Sequence, residues 1–409
     1  MNRNRRNFIR NASLATVGTM LVPSFLRSYG QGLGLAVGQV AGQEAGQAAT
    51  GKILVVIQLS GGNDGLNTII PYRNDLYYQN RPSIAIPQAK VLKLSDELGL
   101  PPELAGLQHL YDQGLVQVIN NVGYPNPERS HFRSMDIWQS GSAATQYWED
   151  GWLGRYLDAT CSGTACASHR AIEVDDGLSL ALKGRRSNGL AMIAPKRLLS
   201  QLGMIDSQAA PMLNEGNLGY LYKMLAETTS SAEYLAEKVR LTSPGNGYPS
   251  GELGQNLRTT AQLIKSGADT RVYYISISGY DTHVGQIGKQ AQLHERYAEA
   301  LEAFFADLKG TDAYGKVLTM TFSEFGRRMK ENGSRGTDHG CAGPVFLIGP
   351  GAKPSAIQGA GPDLANLDDG DLRFETDFRS VYATVLQKWL GADSNAILKG
   401  NFPLLPILG

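Results

Sequence analysis

Asp64 lies in Ser60-Gly-Gly-Asn-Asp-Gly65, Asp281 and His283 in Ser278-Gly-Tyr-Asp-Thr-His283, Glu324 in Ser323-Glu-Phe-Gly326, and Asp338 with His339 in Gly336-Thr-Asp-His-Gly340. The chain has only 6 histidines, and two of them fall beside an aspartate in this way. Carboxylate oxygen and imidazole nitrogen together suit a divalent ion such as Zn or Mn rather than soft-metal chemistry. One Asp-His dipeptide is ordinary turn chemistry; the recurrence across the chain is what points to a metal. A further segment, Pro127-Glu-Arg-Ser-His-Phe-Arg-Ser-Met-Asp-Ile-Trp138, sets Phe132, Met135 and Trp138 at helical spacing and so places Ser130 at a helix start. The positive end of a helix dipole favours an alkoxide or a bound anion there, although serine is equally a common N-cap. Arg129, Arg327 and Arg328 could fork onto a tetrahedral anion. Ordinary solvated charge is the competing account, more so for Arg328 than for Arg327.

Something must bring these stretches together. Ile53-Leu-Val-Val-Ile-Gln-Leu59 is almost continuously apolar and β-branched, the pattern of a strand buried on both faces. Strands are also expected at 116–122, 271–277, 317–322 and 344–348, and helices at 103–113, 213–241, 252–265, 290–308 and 378–390, the last ended by Gly391. Strands alternating with helices predict an α/β fold, a three-layer sandwich with a largely parallel central sheet flanked by helices. In such sheets ligands bind beyond the carboxyl ends of the strands. Asp64, Asp281, His283 and Glu324 each follow a strand, while Asp338 and His339 precede one in a glycine-rich loop.

The start of the chain carries a different message. Arg3, Arg5, Arg6, Arg10 and Arg27 all precede the first acidic residue, Glu44, and a short, interrupted apolar run from Ala12 to Leu26 follows them. A dependable membrane span needs about 20 apolar residues, so no stable span is expected. The Arg5-Arg6 pair ahead of Asn7-Phe8-Ile9-Arg10 reads as a twin-arginine export signal over 1–38. A flexible Gly/Gln/Ala linker would follow over 39–51 and one α/β domain over 52–409. The expected compartment is periplasmic or extracellular, reached through the twin-arginine machinery. Cys161 and Cys166 could pair in an oxidising compartment or remain two free thiols; Cys341 has no evident partner, and no spacing suits a Cys-rich zinc site.

The Gly61-to-Gly65 opening, Gly279-Tyr-Asp-Thr-His283, Ser323-Glu-Phe-Gly-Arg327, Gly336-Thr-Asp-His-Gly340 and Asp377-Phe-Arg-Ser-Val-Tyr382 together resemble the secreted domain-of-unknown-function family 1501. That family in turn resembles the alkaline phosphatase and sulfatase superfamily. The second resemblance implies Asp64, Asp338 and His339 at one metal site and Asp281 with His283 at another, one or two ions in all. It implies a nucleophile at Ser130. Beside it His131, Glu324 and Arg327 are catalytic candidates by residue type, Glu324 as a ligand, a general base or a partner that orients a ligating histidine. Two departures stand out: no histidine follows His339, so a second site must borrow His131 or Glu324 or be missing, and the Asp-x-His spacing at Asp281 is tighter than usual. A Cys-x-Pro-x-Arg motif is absent, which excludes a formylglycine sulfatase.

The 409 residues hold 38 Lys+Arg against 38 Asp+Glu, with 42% hydrophobic, 19% charged and 48 glycines. Disorder is excluded by the apolar share, and a nucleic-acid-coating role by the absence of a basic footprint. Removing the leader would take five arginines and no acid, leaving the mature chain acidic by about five charges. Any phosphate or sulfate must then be held locally. Two functions follow as expectations: a metal-dependent hydrolase of phosphate or sulfate esters, acting on a small anionic ester or a decorated glycan, or a non-catalytic secreted binding or assembly protein keeping one structural metal.

Overall fold

A computed structural model describes residues 51–161, 166–203, 216–359 and 361–408. The expected leader and all but the last residue of the expected linker lie outside these residues. Nine strands form the main sheet: β1 (Ile53–Leu59), β2 (Val116–Gly123), β3 (Ala171–Glu173), β4 (Leu190–Ala191), β5 (Val272–Ile277), β6 (Val317–Phe322), β7 (Gly343–Ile348), β8 (Ala356–Gln358) and β9 (Thr376–Asp377). Their spatial order is β8-β2-β7-β6-β1-β5-β3-β4, with β9 beside β2. The apolar run of β1 is buried along its whole length because parallel partners, β5 and β6, flank it on both edges. Only β7 runs against its neighbours β2 and β6; the other pairings in this sheet are parallel.

Helices cover both faces. Thr321 and Phe322 are consecutive in β6, so their side chains point to opposite faces. The hydroxyl of Tyr297, in α2 (Gln286–Leu308), donates to Thr321 Oγ1 at 2.8 Å. On the other face Trp138, in α1 (His131–Ser140), stacks on Phe322 with ring centroids 4.9 Å apart and on Phe378 of α3 (Phe378–Thr384) at 4.4 Å. This is the expected α/β sandwich, with one apolar core running from Ile53 to Leu408. A smaller cluster with Leu66, Tyr72, Tyr77 and Met329 lies under the loop after β1.

Several details differ from the sequence reading. Gly336–Gly340 is not simply a loop: Thr337–His339 pairs antiparallel with Arg327–Glu331 in a hairpin, which fixes Asp338 and His339 on a strand. Four further strands, β3, β4, β8 and β9, are too short to give an alternating pattern. The helix expected from 290 begins at Gln286, and the helix expected to 390 turns into a π-helical segment at Val385–Trp389. Cys161 and Cys166 are joined as a disulfide, and Cys341 is free and buried. Among the described residues no helix is long and apolar enough to cross a membrane.

Candidate metal centre

The carboxyl ends of β1, β5 and β6 share one rim of the sheet. Because β7 is reversed, the segment leading into it meets that same rim, and this brings Thr337–His339 beside the loops that follow the parallel strands. The loop after β1 approaches so closely that only glycine fits. Gly61 has φ +121°, and a Cβ there would lie 2.3 Å from the backbone nitrogen of Asp281; Gly62 has φ +76°, and its Cβ would lie 2.2 Å from the ring of Phe325.

Three imidazoles converge on this rim, each held by its Nδ1. His339 Nδ1 donates to the carbonyl of Arg129 at 2.7 Å. A carbonyl can only accept, so Nδ1 carries the proton and the Nε2 of the neutral ring offers a lone pair. His131, the first residue of α1, donates from Nδ1 to Glu324 Oε1 at 2.9 Å. Glu324 is fully buried and also accepts from the amide of Gly61 at 2.8 Å. His283 Nδ1 lies 3.2 Å from Asp338 Oδ1. The three Nε2 atoms face Asp281: its Oδ1 is 3.0 Å from His283, 3.3 Å from His339 and 3.5 Å from His131. His283 and His339 bring their Nε2 atoms to 2.9 Å of each other. His131 Nε2 is enclosed without a hydrogen-bond partner among the described residues.

Electrostatics suit Asp281 and His339 to ligation, whereas the proton on His131 is held more firmly. Burial acts to raise the pKa of Asp281, but the hydrogen bond and charge of Arg327, joined by His339 and His283, outweigh it and hold the carboxyl at about 2. Burial lowers the pKa of His339 and keeps its ring in the neutral form a metal needs. The hydrogen bond to Glu324 raises that of His131, against the opposing effect of burial. For Asp338 the hydrogen bond from Asn332 leads in lowering the pKa.

The donor set fits a divalent ion. His131, Asp281 and His339 offer atoms all within 4.8 Å of one another, and His283 extends the group on the Asp281–His339 side. Ligands of a tetrahedral Zn with bonds of about 2.1 Å sit roughly 3.4 Å apart, close to the spacings above. Each imidazole also has the outer acceptor that characteristically orients a ligating histidine.

Other expected residues take different places. Asp64 is not brought to the cluster. It is 1% exposed; Arg81 Nη1 donates to its Oδ2 at 2.6 Å, Gln286 donates to the same oxygen, and the amide of Leu66 caps the other at 3.1 Å. Three of the roughly four acceptor sites of this carboxylate are thus taken, and its charge is matched by Arg81 rather than turned to the imidazoles. Arg327, also expected in the reaction, is 1% exposed. Its guanidinium donates to the carbonyls of Gly61, Gly62, Thr337 and Tyr280 and to Asp281 Oδ1. With its donors so engaged, it braces the ligand loops rather than clamping an anion. Arg129 pairs with Asp371, and Arg328 approaches Asp369 and Asp371. Ser130 stands at the N-cap of α1, exposed, with no capping bond from its hydroxyl. Glu324 and Asp338 act through histidines, and the orienting carbonyl of Arg129, like the Arg81 partner of Asp64, carries no side-chain signal that a sequence could reveal.

No curated protein matches the chain in sequence. Solved structures with some likeness include a protein of the alkaline phosphatase superfamily from Vibrio parahaemolyticus, at 10% identity and TM-score 0.35 over 76% of this chain and 63% of that one. The chain thus spans less than two thirds of that protein's length. The PsFucS1 sulfatase from Pseudoalteromonas sp. gives 10% identity and TM-score 0.38 over 87% of this chain and 70% of its own. A TAB5 alkaline phosphatase variant with Mg in its M3 site gives 12% identity and TM-score 0.33 over 76% and 95%. The family model described as "Protein of unknown function (DUF1501)" matches residues 116–401. That stretch holds β2, the three histidines, Asp281, Glu324 and the bracing arginine, and the chain belongs to this family.

Proposed function

We propose that the chain is an exported, metal-dependent hydrolase of phosphate or sulfate esters, working on a small anionic ester or a decorated glycan in the periplasm or outside the cell. The observation that carries this is the convergence of three Nδ1-anchored imidazoles on Asp281 Oδ1, with His131 Nε2 enclosed and without a hydrogen-bond partner among the described residues. His131, Asp281 and His339 would hold the ion, Zn or Mn by donor type, with His283 able to join them. When bound, such an ion lowers the pKa of a coordinated hydroxyl or water and stabilises charge developing on the ester oxygens.

The chain's own residues have separable tasks. Ser130 adjoins His131 at the start of α1 and presents an exposed hydroxyl that makes no capping bond, which suits it to attack the ester. Glu324 and the Arg129 carbonyl fix which nitrogen of His131 and His339 faces the site. Arg327 keeps Asp281 ionised. The twin-arginine start supports export.

A second reading, a secreted binding or assembly protein with one structural metal, draws on the engagement of Asp64 by Arg81 and on the lack of a histidine after His339. Both readings are tested by metal analysis of the folded chain combined with a panel of phosphomonoesters, phosphodiesters and sulfate esters. Turnover lost in both His339→Ala and Ser130→Ala supports the hydrolase. Metal retention with no turnover on any ester leaves the binding protein.

A further inference from the structure

Where β7 pairs with β2 the register slips: Gly343 faces Val122, but Val345 faces Ile119. Asn120 and Asn121 therefore stand opposite a single residue, Pro344, which has no N–H to give to the ladder. The bulge turns Asn121 into the left-handed region at φ 51°. Among the described residues it also leaves two side-chain amides without partners. Asn120 Nδ2 is enclosed and unbonded among the described residues. Asn121 is 5% exposed, and its side chain forms no hydrogen bond with another described residue. A buried amide without a partner is costly unless something else supplies one.

Asn121 lines a cavity of about 250 Å³ together with Asp363, Asn366, Arg373, Phe374 and Glu375. Asn120 lines an adjoining recess of about 10 Å³ that shares Asn121 with it. We propose that this bulge-lined cavity binds one pyranose ring of a neutral or aminated sugar. The volume suits a single hydroxylated ring. Amides that both donate and accept, carboxylates that accept and a guanidinium that donates match vicinal hydroxyls, which do both. Phe374 supplies an apolar wall for the C–H face of the ring. Two carboxylates against one guanidinium repel an acidic sugar and attract an aminated one. The site stands independently of the metal centre, although the chain joins them: Asp371, next to the cavity's Leu372, accepts from Arg129, whose carbonyl holds His339.

The test is calorimetric titration of the full chain with glucose, glucosamine and glucuronate, with thermal melting alongside. Glucosamine should bind most tightly and glucuronate least. Asn121→Gly keeps the left-handed backbone and removes only the amide, so the melting temperature should hold or rise while affinity falls about tenfold. Arg373→Ala, on the exposed side, should weaken glucose without unfolding the chain. Absence of saturable binding by all three sugars would overturn the proposal. So would glucuronate binding as tightly as glucosamine, or affinity unchanged in both variants.

Discussion

Asp64 and Arg81 meet at 2.6 Å with neither side chain exposed. The remaining donors of Arg81 bind the carbonyls of Met329 and Arg328 and the Asn67 side chain. The carboxylate that follows β1 therefore ties that loop to the hairpin carrying His339, and its effect on the site is through architecture. Asp64→Asn leaves a buried guanidinium without its counter-charge and should cost about 3–5 kcal/mol in urea unfolding. Metal content per folded molecule should not change. Loss of metal from protein that remains folded would instead make Asp64 a ligand.

His131 and His339 should each be indispensable for metal. His339→Ala and His131→Ala should release the ion at concentrations where the parent chain keeps it, as measured by plasma mass spectrometry after dialysis. Glu324→Gln, which acts through His131, should weaken binding roughly 10–100-fold. His294→Gln should leave metal binding alone, because His294 is buried with its Nε2 on Asn63 and Thr68 rather than among the three imidazoles.

Arg327→Lys replaces a five-donor fork with a compact ammonium that cannot reach four carbonyls and Asp281 together. The expected result is a lower melting temperature, with Asp281 less firmly ionised. Arg328→Lys, at the hairpin surface, should change little. Equal melting temperatures for the two variants would refute the bracing role.

A pH dependence of stability should arise away from the candidate metal centre. Glu173, at the end of β3, is buried, and burial pushes its pKa from 4.5 to about 8 against the opposing hydrogen bond from the Ser179 amide. The folded chain thus binds a proton the unfolded chain has lost between those values. The stabilisation is complete below pH 4.5 and is lost by about 1.4 kcal/mol per unit as pH rises toward 8. Glu173→Gln should flatten this slope, its advantage in melting temperature growing from pH 5 to pH 8.

Local pattern made much of this readable. The unbroken apolar run at Ile53–Leu59 announced a doubly buried strand, the spacing of Phe132, Met135 and Trp138 placed Ser130 at a helix start, and Asp281, His283 and His339 stood out by type. Direction did not show: nothing in Pro344-Val-Phe-Leu-Ile348 says that β7 runs backwards, yet that reversal delivers His339 to the rim. Pairing across the fold was equally hidden. Arg81 is 17 residues from Asp64 and Arg327 is 46 from Asp281, and no periodicity links such partners. Phe132, at helical spacing from Met135 and Trp138, is nonetheless 82% exposed, because the inward face of α1 is Ser134, Ile137, Trp138 and Ser140.

Arg327 links the loops after β1 and β5 to the hairpin that leads into β7. Loops at ligand sites are usually the first parts of a protein to open. Here one buried guanidinium staples three of them together, so none can swing out unless the staple breaks for all. Amide protons at Gly61, Tyr280 and Thr337 would then exchange with solvent nearly as slowly as those of the central strands. The rim behaves as part of the rigid body, and a ligand must enter a site already assembled.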